Sequence, residues 1–202
     1  MLGSITPLGE RGRNSRWWVT VTAFVLGGAT GGALLGGALG WIGSVARAEF
    51  GGWSASMSLV ALGAIALIGA AFDLGVMPFA LPTVRRQVDE RWLHRYRGWV
   101  YGLGFGVQLG LGLVTIVITA AVYATFAASL LSGSAITGAA IGGTFGLARA
   151  ATSLSVAGVT RPDQLPRLDA RLRRMDRPSR RIATTMEIAV AAGALAVGLF
   201  AW

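Results

Sequence analysis

Four residues combine a chemistry-bearing side chain with apolar surroundings in the chain: Asp73, Gln108, Arg149 and Glu187. Ionisable groups in hydrocarbon are costly and turn toward a partner or a cavity, so they are the first candidates for function. Asp73 precedes Arg85 by 12 residues, Gln108 follows Arg97 by 11, and Arg149 precedes Arg161 by 12. At about 1.5 Å of helical rise per residue, each lies about 16 to 18 Å from its arginine cluster, which places all three at one level near a bilayer midplane. Opposite charges at Asp73 and Arg149 would neutralise each other there, with the Gln108 amide as a bridge. Glu187, about 9 Å past Arg181, is an alternative partner for Arg149 if that long side chain snorkels. Two chemistries suit such a layer. One is a structural ion pair that fixes the register of a bundle. The other is a substrate-binding site that binds or moves a small polar or anionic solute, in the manner of a transporter.

Catalysis has less to stand on. The chain has no Cys, hence no disulfide, thiol nucleophile or thiolate metal site, and its one His, His94, lies in a charged segment where solvation is the simplest reading and axial haem ligation a remote one. No nucleophile–base pair, phosphate-cradling loop or metal-ligand spacing stands out, so the expectation is a protein that is not an enzyme and needs no metal or other cofactor.

The elements that must position these groups are written in the composition. Of 202 residues 53% are hydrophobic and 13% charged, against about 25% charged in soluble domains. Mean hydropathy is +0.60. These values point to an all-α integral membrane protein. Five stretches reach the roughly 20 apolar residues that a spanning helix needs. They run over about 17–45, 57–81, 98–126, 134–159 and 182–202, with residues 1–16 as a cytoplasmic tail and 17–202 as a single transmembrane domain. Every basic residue is Arg, and 16 of the 18 fall in the tail, the loop of Arg85 to Arg97 or the loop of Arg161 to Arg181. Five crossings put those segments on one side, with only Arg47 opposite and Arg149 inside a span. The bias of basic residues toward cytoplasmic loops then predicts a cytoplasmic N-terminus, an external Trp202 and a multi-pass protein of the bacterial cytoplasmic (inner) membrane. Trp17, Trp18, Trp92 and Trp99 near inner boundaries, and Trp41, Trp53 and Trp202 near outer ones, fit the interfacial preference of Trp. Ala46-Arg47-Ala48 resembles a signal-peptide cleavage site, but the apolar run before it exceeds the roughly 7 to 15 residues of a signal sequence, which favours a retained first helix.

Glycines recur every four residues at Gly28, Gly32, Gly36 and Gly40, at Gly98, Gly102, Gly106 and Gly110, and at Gly138, Gly142 and Gly146. That spacing lines one helix face and lets another backbone approach, the pattern of a glycine zipper in a compact bundle. The functional alternatives for such faces are an oligomeric pore or a groove for a flat ligand or lipid tail, and a homo-oligomer or a membrane-complex partner is a separate expectation. Arg16-Trp17-Trp18-Val19 with Phe24 matches Arg97-Gly98-Trp99-Val100 with Phe105 at a constant offset, as a parallel repeat would.

In the last loop Leu165, Leu168, Leu172 and Met175 form an apolar stripe facing away from Arg167, Arg171 and Arg174, the pattern of a short helix on the membrane surface. Val84, Val88 and Trp92, with Arg85/Asp89 and Arg86/Glu90 four apart, suggest a second. Membrane lipids with anionic headgroups are the partners these arginines fit first, and docking of an acidic partner is the alternative. Nucleic acid is not expected, because the charge already has a membrane explanation.

The stretch from Val100 to Gly110, with glycines at 102, 104, 106 and 110, resembles the Gly-rich helix of the CcdA/DsbD-like (LysE-type) membrane proteins, which conduct thiol reductant across the bacterial membrane. Gln108 and Leu109 stand where that family has a Pro-Cys pair. The resemblance therefore implies a shared scaffold, also similar to small-solute exporters, without the redox activity. The sequence alone thus favours a five-helix, transporter-like bundle. A non-catalytic subunit or scaffold that docks a partner through its Arg-rich loops is the alternative.

Overall fold

This computed structural model describes residues 6–51, 54–78, 95–112 and 119–200. Among them are seven α-helices: α1 (Pro7–Gly12), α2 (Trp17–Glu49), α3 (Ala55–Asp73), α4 (Gly98–Leu111), α5 (Ala121–Leu131), α6 (Ala135–Ala151) and α7 (Leu165–Phe200). Two 3-10 turns, Thr152–Val156 and Pro162–Gln164, join the last two. Helix starts follow side-chain caps: Thr6, Ser54 and Ser134 accept the N–H groups of Gly9, Met57 and Thr137 at 3.1, 3.1 and 3.3 Å. Gly112, at φ +67°, ends α4, and Gly133, at φ +59°, makes the tight turn between α5 and α6; both are conformations in which a side chain is strained.

The core is built around α2. A Cβ placed on Gly32, Gly36 or Gly40 would overlap the carbonyl oxygen of Gly142, Gly138 or Ser134 respectively, so α2 and α6 run antiparallel with their backbones in contact. On α4, a Cβ at Gly106 or Gly110 would overlap the carbonyl of Phe24 or Gly28, and here numbers rise together, so α2 and α4 are parallel. The three helices meet at Gly28, whose carbonyl lies against both Gly110 and Gly146. Lipid supplies no hydrophobic drive between helices, so such close approach, with its dense van der Waals contact, holds them together. Val21, Phe24, Tyr101, Phe105 and Ala150 fill the space beside this seam. A second antiparallel pair, α3 and α7, packs Gly63 against Leu195 and Gly198 against Leu59 and Val60.

Several expected boundaries shift. The single helix over 98–126 is two helices, because Gly112 turns left-handed and α5 starts only at Ala121. The surface helix near Asp163 to Arg177 and the span over 182–202 are one helix, α7, which runs through Pro178. Among the described residues three helical segments, Trp17–Glu49, Ala55–Asp73 and Pro162–Phe200, are long and apolar enough to cross a membrane. The loop of Arg85 to Arg91 with Val84, Val88 and Trp92, and also Trp53, His94 and Trp202, lie outside the described residues.

Candidate functional site

The break between α4 and α5 leaves backbone groups inside the bundle without helical partners, and such groups must be satisfied where water is scarce. Two charged side chains from two other helices meet them, and a third, Arg47, completes the far end of α5. Asp73, the last residue of α3, accepts the N–H of Ala120 at the start of α5 through both carboxylate oxygens, at 3.0 and 3.2 Å. Arg149 of α6 donates to the carbonyl of Leu109 at the end of α4, at 3.2 Å, and lies over the Phe145 ring at 5.4 Å. Arg47 of α2 donates to the carbonyl of Leu131 at the end of α5, at 3.0 Å, and to Ser58 of α3 at 3.4 Å. An anion sits at the helix start and cations at the two helix ends, the signs the helix dipoles favour.

Asp73 and Arg149 thus each meet one side of the break, at the start of α5 and at the end of α4. The structure does not bring them into the expected pair. The charges that act across the Asp73 region are those of Arg180 and Glu187 on α7. Gln108 is half-buried on α4, next to the Leu109 carbonyl that Arg149 uses. Glu187 is 5% exposed, and among the described residues neither carboxylate oxygen has a hydrogen-bond partner. It lines an apolar cavity of about 390 Å³ walled by Leu62, Ala66, Thr125, Ile141 and Met186.

A second polar cluster escaped the sequence reading. Glu10, in a segment expected to be a tail, is fully buried. Its carboxylate accepts the Tyr101 hydroxyl, the Thr20 hydroxyl at 2.9 Å and the Arg13 guanidinium at 2.8 Å, which ties α1 to both α2 and α4. Burial opposes the Arg13 charge, but the hydrogen bond to Glu10 and the nearby Glu10 carboxylate charge outweigh it and raise its pKa. Leu8 donates its N–H to Val159, at 3.2 Å, and so anchors α1 to the turn after α6. The available signal was local: Thr6-Pro7 is a cap followed by proline in the first helical turn, and Glu10 is the one acid before the first apolar run.

Beside this cluster, where α2 and α4 begin, a cavity of about 650 Å³ is lined by Arg13, Arg16, Arg95, Arg97, Thr20 and Trp99, among others. Gly98 forms part of its wall, with the space a side chain would need already taken by Thr20 and Ser15.

With this geometry in view, known proteins offer a likeness and two blanks. No protein-family profile matches the chain, and no solved structure matches it. It is similar to the methylamine utilization protein MauF of Paracoccus versutus, 34% identical over 150 residues that make up 72% of this chain and 54% of that protein. Similarity to the MauF proteins of Methylobacillus flagellatus (33% over 153 residues, 72% and 52%) and Paracoccus denitrificans (33% over 150 residues, 72% and 53%) is of the same order. The chain spans about half the length of these curated relatives. They replace the CcdA/DsbD-like likeness, which rested on glycine spacing. Packing of Gly102, Gly106 and Gly110 on Thr20, Phe24 and Gly28 requires that spacing in any close helix pair, so it does not identify a family. They also overturn the reading as a solute transporter, and with it the use of transport or a glycine zipper as a description of what the protein does. The proteins that this chain resembles are named for methylamine utilization.

Proposed function

We propose that this chain is a membrane-embedded accessory protein of methylamine utilization, that it crosses the bacterial inner membrane five times with its N-terminus in the cytoplasm, and that it performs no chemistry of its own. The observation that carries this reading is the similarity to MauF proteins of several bacteria, at 30–34% identity over about 150 residues in four of them. Helix directions support the topology: α2 and α4 run parallel, α6 opposes α2 and α7 opposes α3, with α4 and α5 sharing the third crossing. The accessory role is supported by the engagement of Glu10, Arg47, Asp73 and Arg149 with helix ends and neighbouring helices, which makes them parts of the scaffold.

Deleting the gene in its own host tests the reading. Growth with methylamine as sole nitrogen source should be lost, growth on ammonium should be unchanged, and the wild-type gene should restore the first. Restoration by a Glu187→Met gene as well is expected if no chemistry depends on that carboxylate. Undiminished growth of the deletion strain on methylamine would overturn the proposal.

A further inference from the structure

We propose that the arginine-lined cavity at the start of α2 and α4, with the apolar groove beside it, binds one anionic phospholipid, its phosphate in the cavity and an acyl chain along the groove. Arg16 and Arg97 are the N-cap residues of α2 and α4, and neither helix has a side-chain cap bond. A guanidinium at the positive end of a helix dipole is unfavourable by itself, and here two such ends lie side by side. Among the described residues no carboxylate lines the cavity. The nearest acid in this cluster, Glu10, is engaged by Arg13, Thr20 and Tyr101, which leaves Arg16, Arg95 and Arg97 without an ion-pair partner among the described residues. A phosphate answers both needs at once: its oxygens match guanidinium forks, and its charge suits two helix starts.

The adjoining groove selects a lipid over a free phosphate. It measures about 320 Å³ and is lined by Trp18, Val19, Thr22, Ala23, Leu26 and Trp99, of which Val19 and Trp99 also line the cavity. Trp18 is 60% and Trp99 51% exposed, so two large rings stand open beside the charged chamber. Headgroup-level Trp next to basic side chains is the arrangement expected where a helix leaves the interface for hydrocarbon. The parallel run of α2 and α4 creates the site, because it places the two equivalent arginines of the Arg16 and Arg97 segments side by side. It stands whether or not the role in methylamine utilization does.

Native mass spectrometry of the full chain, released from mixed micelles containing equal phosphatidylglycerol and phosphatidylcholine, tests the site. One phosphatidylglycerol should be retained in preference, and the Arg16→Gln/Arg97→Gln variant should lose about tenfold in retention, as expected for a lost charge-assisted contact. Arg173→Gln/Arg174→Gln, which removes the same charge from α7, should leave retention unchanged. Ala23→Trp, which fills the groove and spares every arginine, should also weaken it, and covers the case in which the arginine variant does not fold. Equal retention of the two lipids, equal loss in the α7 variant, or displacement of the lipid by millimolar inorganic phosphate would overturn the proposal, the last by reassigning the cavity to a free anion.

Discussion

Glu10 and Glu187 show how one side-chain type takes opposite roles from its surroundings. Glu10 is fully buried yet bonded to three partners, and it clips α1 to the bundle. Removing one member of a buried, bonded group strands the others. Glu10→Ala should therefore destabilise the protein by about 3 kcal/mol, measured by denaturant unfolding in detergent, and a variant as stable as the parent would contradict the network. Glu187 has no partner for either oxygen among the described residues and faces an apolar cavity, with Asp73 the charge that acts on it. Burial of an unmatched polar group costs about 1–3 kcal/mol, so Glu187→Met should stabilise by an amount of that order. A loss of stability would reveal a partner for the carboxylate. Neither role could be read from the sequence, where Glu10 is one acid among tail arginines and Glu187 a lone charge in an apolar helix.

The glycine faces were legible at the level of elements, because a four-residue spacing says which side of a helix must approach another backbone. Which helix each face meets was not legible, since three segments carry the same spacing. The break in the third apolar stretch was also hidden. Gly112 ends α4 with a left-handed turn, yet it follows glycines at 102, 104, 106 and 110 that continue the helix, and only tertiary packing distinguishes them. The glycines that pack differ sharply from those that do not. A Cβ at Gly32 would overlap the Gly142 carbonyl, whereas one at Gly193 would meet nothing within 4 Å. Gly32→Ala should cost about 1–3 kcal/mol because backbone has to move. Gly193→Ala should gain about 0.5–1 kcal/mol from helix propensity, and equal effects at the two positions would refute the α2–α6 contact. The surface helix and the last span, expected as two elements, are one: the chain continues through Pro178 as α7.

Across the whole molecule, helix directions make topology testable with single cysteines in a chain that has none. Ser132, in the turn between α5 and α6, and Ser179, within α7 beside Pro178, should lie on opposite membrane faces. An impermeant thiol reagent on intact cells should label Ser132→Cys and not Ser179→Cys, and equal labelling would contradict five crossings. In the proposed five-crossing topology the third crossing is broken, with Arg149 of α6 at the end of α4, Asp73 of α3 at the start of α5 and Arg47 of α2 at the far end of α5. Spacing alone singled out Asp73 and Arg149 but not their partners: opposite charges expected at one depth suggest a pair until the helix ends that each one meets are seen. A double-mutant cycle of Asp73→Ala and Arg149→Met, followed by denaturant unfolding in one detergent, separates the two accounts. If each side chain caps its own helix end, each single variant should lose about 1.5–3 kcal/mol and the double variant their sum to within about 0.5 kcal/mol. A double variant no less stable than the worse single one would show that the two charges pair, and would contradict capping of the broken crossing.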